Sequence, residues 1–181
     1  MLTEIKKEDC ALSIPYPEIT VSAQNIAYAR QLQIPYAGHA SEMTAITTYM
    51  YQSILFSTED CENNVRRQVQ RKSAQNVLAA VAVQEMHHLK TLGTLIFMLG
   101  GKPVPGVCHR GQYTHWNGSY TNTEEHFLCA MRQNIANEEA AAAEYEALAE
   151  NICDMGVRAV LRRIAKDERH HAELFRRVAE M

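Results

Sequence analysis

Four stretches of the chain place apolar residues at alternating steps of four and three, the spacing that lines one face of an α-helix. From about Val65 to Leu99 the face reads Ala74, Leu78, Val81, Glu85, His88, Leu92, Leu95, Leu99, and after Asp154 it reads Val157, Leu161, Ile164, Glu168, His171, Phe175, Val178. From about Thr123 to Asn151 it reads Leu128, Met131, Ile135, Glu138, Ala142, Tyr145, Ala149, Ile152, and from Tyr36 to Phe56 it reads Glu42, Ile46, Tyr49, Ser53, Phe56. Ionisable residues break every line. Two faces carry Glu-x-x-His, and each of the others carries one Glu followed seven residues later by a tyrosine, so the second half of the chain repeats the first.

Local signals bound these helices. Pro15 and Pro17 predict an extended arm over residues 1 to 21, and Ser22 can cap a short helix that runs to about Gln33 and stops at Pro35. The polar run Ser57 to Asn64, with Asp60, predicts a loop, and Gly100-Gly101 ends the second long helix. Lys102 to Tyr120, with Pro103, Pro105, Gly106, Gly111 and Gly118, argues against regular structure. Asn122 with Glu125 reads as a capping box for the third long helix, and Asp154 caps the fourth. The expected fold is all-α: an arm and short helix over residues 1–35, then a four-helix bundle over 36–181. A connection of about twenty residues reaches roughly 60 Å, enough to run the length of a bundle, so the second and third long helices can be parallel. The shorter connections make the flanking pairs antiparallel.

Residues level with one another on antiparallel helices lie equally far from the connecting loop. The midpoint of Glu42 and Glu85 falls at 63 to 64, that of Glu138 and Glu168 at 153, and both lie in predicted loops. The ionisable residues therefore meet at one depth. Four carboxylates in an apolar interior would cost several kcal/mol each, and repulsion would push protons onto some of them. Two divalent cations match their charge, with the imidazoles as neutral nitrogen ligands, and a Glu and a His three apart on one face can grip the same ion. The candidate metal ligands are Glu42, Glu85, His88, Glu138, Glu168 and His171. Tyr49 and Tyr145 read either as core tyrosines with satisfied hydroxyls or as holders of a ligand carboxylate, and their symmetry favours the second. His87 and His170 point about 100° away from their ligand neighbours and stay outside the set. Glu139, Glu144, Glu146 and Glu150 are expected on the wet face of their helix.

Composition narrows the function. A formal charge of −3 with pI near 6.2 leaves no basic surplus, which excludes nucleic acid as a partner. The N-terminus carries acids, and the most apolar stretch, Thr91 to Leu99, is too short to span a bilayer, so a cytoplasmic protein without membrane contact is expected. The five cysteines, Cys10, Cys61, Cys108, Cys129 and Cys153, form no Cys-x-x-Cys and read as reduced thiols. Cys108, His109 and His115 lack the second pair that a zinc loop needs, and Trp116 reads as a packing anchor or interface residue.

This set of residues resembles the ferritin-like superfamily, which includes rubrerythrins, bacterioferritins and manganese catalases; its dimetal bundles join one Glu from each of two helices to Glu-x-x-His from the other two. Gln133 to Glu138, Tyr145-Glu146, Asp154 to Val157 and Glu168-x-x-His171 look most like the manganese catalases and their spore-coat relatives, as do Tyr16-Pro17, Asn25 and Tyr36-Ala-Gly38. Ala141 departs from the pattern, standing where rubrerythrins are expected to carry an extra glutamate. The resemblance implies a homo-oligomeric ferritin-like bundle with two divalent ions, manganese or iron, acting on hydrogen peroxide or dioxygen. It implies a catalase or peroxidase in oxidative-stress defence, with Glu168, Tyr49 and Tyr145 as candidate catalytic residues. Glu168 matches a proton-handling neighbour of the metals in the catalases and a ligand in bacterioferritin-like proteins. The other readings are an iron-oxidising or iron-binding protein, and a structural spore-coat protein with a metal site.

Overall fold

The computed structural model describes residues 3–57, 64–109 and 112–181. Five α-helices occur among them: α1 (Ile26–Ala37), α2 (Glu42–Leu55), α3 (Val65–Met98), α4 (Phe127–Asn151) and α5 (Met155–Glu180). A two-stranded antiparallel hairpin, β1 (Gly106–His109) and β2 (Gln112–His115), lies between α3 and α4, and short 3-10 turns form at Lys7–Cys10 and Gly118–Tyr120. Helix α2 packs on α3, α4 packs on α5, and α3 meets α5, so α2 to α5 form a four-helix bundle with a long α3–α4 crossover.

All the predicted face residues of α3 and α5 are buried, as are Tyr49, Phe56, Met131, Ala142, Tyr145, Ala149 and Ile152 from the other two faces. They gather into two clusters. One holds Tyr49, Phe56, Leu78, Phe127, Met131 and Phe175, the other Leu32, Leu92, Leu95, Tyr145, Leu161 and Ile164, and the Glu and His residues sit between them. Helix α5 is buried over a broader arc than its seam, because the N-terminal arm packs against its flank through Tyr16, Ile19 and Val21. Asp154 caps α5 as expected, accepting from the Gly156 and Val157 amides, and it also accepts from the Ser22 amide at 2.7 Å.

Several boundaries differ from the sequence reading. The short helix is capped by Asn25 rather than Ser22 and passes through Pro35, which sits in the last turn, where the ring forfeits only one backbone bond. The expected helix from Tyr36 is two helices. Gly38 closes α1 through its amide to the Ile34 carbonyl, at a spot where a Cβ would come within 2.6 Å of that oxygen, and Ser41 caps α2. The connection from Lys102, expected to be irregular, holds the β-hairpin, pinned to α1 by the Gln33 amide, which donates to the Val104 and Gly106 carbonyls at 2.6 and 2.8 Å. It is pinned to α2 by Trp116 on Thr44, Thr121 on Thr47 and the Asn122 amide on Thr48. Helix α4 starts at Phe127 instead of Thr123, because the Asn122 side chain closes a local turn on the Glu124 amide. The start of its face shifts with it, burying Phe127 and leaving Leu128 38% exposed. The predicted loop from Ser57 to Asn64 falls on residues 58–63, outside the described residues, as do Arg110 and Gly111.

Among the described residues Cys10, Cys108, Cys129 and Cys153 are free thiols, and no helix is long and apolar enough to cross a membrane.

Candidate metal centre

Periodicity puts Glu85 and His88 one turn apart on α3, Glu168 and His171 likewise on α5, while α2 and α4 each contribute one Glu at the same level. All six are buried. Glu42, Glu85, His88 and Glu168 bring one ligand atom each to within 4.8 Å of one another, and so do Glu85, Glu138, Glu168 and His171. Each group can hold a metal ion.

The two groups share Glu85 and Glu168, and the sharing is resolved atom by atom. Glu85 turns Oε2 to His88 Nδ1 at 2.9 Å and Oε1 to His171 Nδ1 at 3.0 Å. Glu168 turns Oε1 to His88 Nδ1 and Oε2 to His171 Nδ1, both at 3.1 Å. Glu42 approaches only His88, at 3.6 Å, and Glu138 only His171, at 3.5 Å. Tyr49 on α2 donates its hydroxyl proton to Glu138 on α4, and Tyr145 on α4 donates to Glu42 on α2. The tyrosines thus take the carboxylate-holding role, each on the opposite hairpin.

Electrostatics describe a cluster short of positive charge. Burial, and then the charge of Glu85, push the Glu42 and Glu138 carboxyls well above the usual carboxylate range. Burial also opposes ionisation of Glu85, yet the His171 and His88 charges outweigh it and hold that carboxyl well below the range. Burial works against charge on both imidazoles, and the surrounding glutamates overcome it and raise His88 and His171 well above the ordinary histidine value. Without a metal, the cluster reaches neutrality by taking up protons.

The far side of each imidazole has its own partner. His88 Nε2 lies 2.9 Å from the Tyr16 hydroxyl and 3.2 Å from Asp167 Oδ2, and Asp167 also accepts from Tyr16 and pairs with Arg163. His171 Nε2 lies 3.0 Å from Gln84 Oε1. Sequence reasoning missed Tyr16, Gln84, Arg163 and Asp167 as parts of the site. One signal was present: Gln84 and Asp167 immediately precede Glu85 and Glu168, at equivalent places in the repeat. His87 is exposed against the Tyr16 ring and His170 half-buried, both outside the cluster. Glu139 is exposed and pairs with Arg176 at 2.7 Å, whereas Glu138 points inward. Glu144, expected on the wet face, is half-buried and its carboxyl is pushed up by burial.

A cavity of about 270 Å³ reaches the cluster between α2 and α4, past His39, Tyr120, Ala141 and Glu144 to Glu42 and Glu138. It has room for a small molecule beside the two groups.

A family model described as rubrerythrin matches residues 40–179. No curated protein matches the chain. Among solved structures, the manganese catalase KatB from Anabaena is similar over 91% of this chain and 76% of the catalase, with a TM-score of 0.72 and 23% identity. A second structure of that catalase gives the same figures. A dodecameric thioferritin, the bacterioferritin-related protein from Bacteroides fragilis, covers 86% of both chains with a TM-score of 0.61 and 19% identity. At these identities the likeness speaks to the fold, an all-α four-helix bundle of the ferritin-like kind.

Proposed function

The chain belongs to the rubrerythrin family, and on that premise we propose that it is a dimetal oxidoreductase that breaks down hydrogen peroxide. The observation that carries this reading is the sharing of Glu85 and Glu168, each with one oxygen toward each imidazole. Two ions would be held here, one by Glu42 and His88 and the other by Glu138 and His171, with Glu85 and Glu168 available to both. The donor set fits manganese or iron: hard carboxylate oxygens with one imidazole for each ion, and four carboxylates balanced by two divalent charges. Glu85 Oε1 and Glu168 Oε1 support the fit, being buried without a hydrogen-bond donor and each facing an imidazole nitrogen. Bound there, the ion pair supplies the oxidising and reducing equivalents that turn two molecules of hydrogen peroxide into two of water and one of dioxygen.

The chain's own residues do the rest. Tyr49 and Tyr145 fix the orientation of Glu138 and Glu42 and stay protonated, since burial raises both phenols well above their ordinary value. Apolar clusters above and below keep bulk water out, leaving the α2–α4 cavity as the approach for peroxide. Glu144 on the cavity wall keeps its proton to higher pH than an exposed carboxylate and can exchange it with solvent. In this reading Glu168 would be a ligand available to both ions, and Glu144 is the proton carrier.

The test is oxygen release from hydrogen peroxide by protein reconstituted separately with manganese and with iron. Turnover is expected in at least one form and is lost in Glu85→Ala and Glu168→Ala. Absence of peroxide consumption in both forms would sink the reading. A second reading follows from Glu168 as a ligand, the role that the resemblance gives its counterpart in bacterioferritin-like proteins: oxidation of iron(II) by dioxygen at the same site. Adding excess iron(II) in air separates the two, because ferric absorbance that keeps growing past two irons per chain favours the second.

A further inference from the structure

The two halves of the site are built on one plan and differ on the far side of each imidazole. Where α5 carries Asp167, α3 carries Gln84, and each reaches across to the imidazole of the other helix. His88 Nε2 therefore faces the Asp167 carboxylate at 3.2 Å together with the Tyr16 hydroxyl at 2.9 Å that donates to it, and His171 Nε2 faces a neutral amide. We propose that the halves are unequal toward metal, the His88 half taking its ion first and releasing it last, with Asp167 as the positioning residue responsible. This rests on the dimetal reading above.

With a cation on Nδ1, each imidazole carries its proton on Nε2 and donates it outward. A hydrogen bond to an ionised acceptor is roughly twice as strong as one between neutral groups, and it makes the ring a better electron donor to the cation. Placement acts in the same direction. Asp167 is fully buried and fixed by Tyr16 and Arg163. Arg163 is itself tied to the Ile14 carbonyl at 3.1 and 2.9 Å and lies 4.3 Å over the Tyr16 ring. Gln84 is only half-buried. Arg163 cancels the charge of Asp167 at a distance, so the inequality works through the N–H bond and the rigidity of its acceptor. The N-terminal arm, which supplies Tyr16 and the Ile14 carbonyl, is thereby part of the His88 half.

Crystals of metal-depleted protein given one equivalent of manganese(II) test the order of filling. Anomalous scattering is expected to concentrate beside His88. In solution, competition against a chelator should show Asp167→Asn weakening the tighter binding step by about 10- to 100-fold, as loss of an outer carboxylate does elsewhere. Gln84→Glu should draw the weaker step toward the tighter. Equal occupancy of the halves, an excess beside His171, or an unchanged tighter step in folded Asp167→Asn overturns the inference alone. Manganese at neither half overturns it together with the dimetal reading. Should Asp167→Asn fail to fold with Arg163 unpaired, occupancy in the unaltered protein and the Gln84→Glu shift still decide.

Discussion

At the scale of single residues, the tyrosine hydroxyls decide how the outer glutamates stand. Tyr49→Phe strips Glu138 of its donor and Tyr145→Phe strips Glu42, each leaving a buried oxygen unpaired at a cost of about 1–3 kcal/mol. Each variant is expected to fold and to bind manganese(II) about tenfold more weakly, measured by chelator competition. Protons compete for the same oxygens and nitrogens. Glu42, Glu138, His88 and His171 all hold protons to higher pH than free side chains, and each must be deprotonated to ligate. Metal affinity should therefore rise with pH and fall as pH drops from 8 toward 5, by roughly tenfold per unit for each proton displaced. Affinity that stays flat over that range would mean that these groups are not the ligands.

At the scale of elements, caps and seams carry the fold. Asp154→Ala removes the acceptor for two α5 amides and for the Ser22 amide that ties down the arm, and should cost about 1 kcal/mol, read as a lower melting temperature. That cap was legible in the sequence, as were the faces of α3 and α5 and all six clustered Glu and His residues, because a regular helical period alone brings such residues to one side. What was not legible depended on partners distant along the chain. Asp167 lies off the seam of α5 and is buried by an arm some 151 positions away, at Tyr16. The β-hairpin forms in a Pro- and Gly-rich segment because Gln33 collects its carbonyls, and the break at Gly38 follows from a close approach to the Ile34 carbonyl. Neither leaves a periodic trace.

At the scale of the whole molecule, the polar belt divides the core into two apolar clusters, and whatever neutralises that belt holds them together. Free ion at about a thousand times its dissociation constant would add roughly 4 kcal/mol to stability. Calorimetry should then show a melting temperature many degrees higher with manganese(II) than with excess chelator, and the gap should narrow toward pH 5. The crossed contacts give the repeat another meaning. His88 is enclosed by Glu42 and Glu85 of its own hairpin together with Glu168 and Asp167 of the other, and His171 by Glu138 and Glu168 together with Glu85 and Gln84. A repeated unit ordinarily offers a spare when one copy is damaged. Here neither copy can stand in for its twin, because a lesion at Gln84, Glu85, Asp167 or Glu168 in one is also a lesion in the surroundings of the other's histidine. Tolerance to mutation at these positions should be that of a single indivisible site.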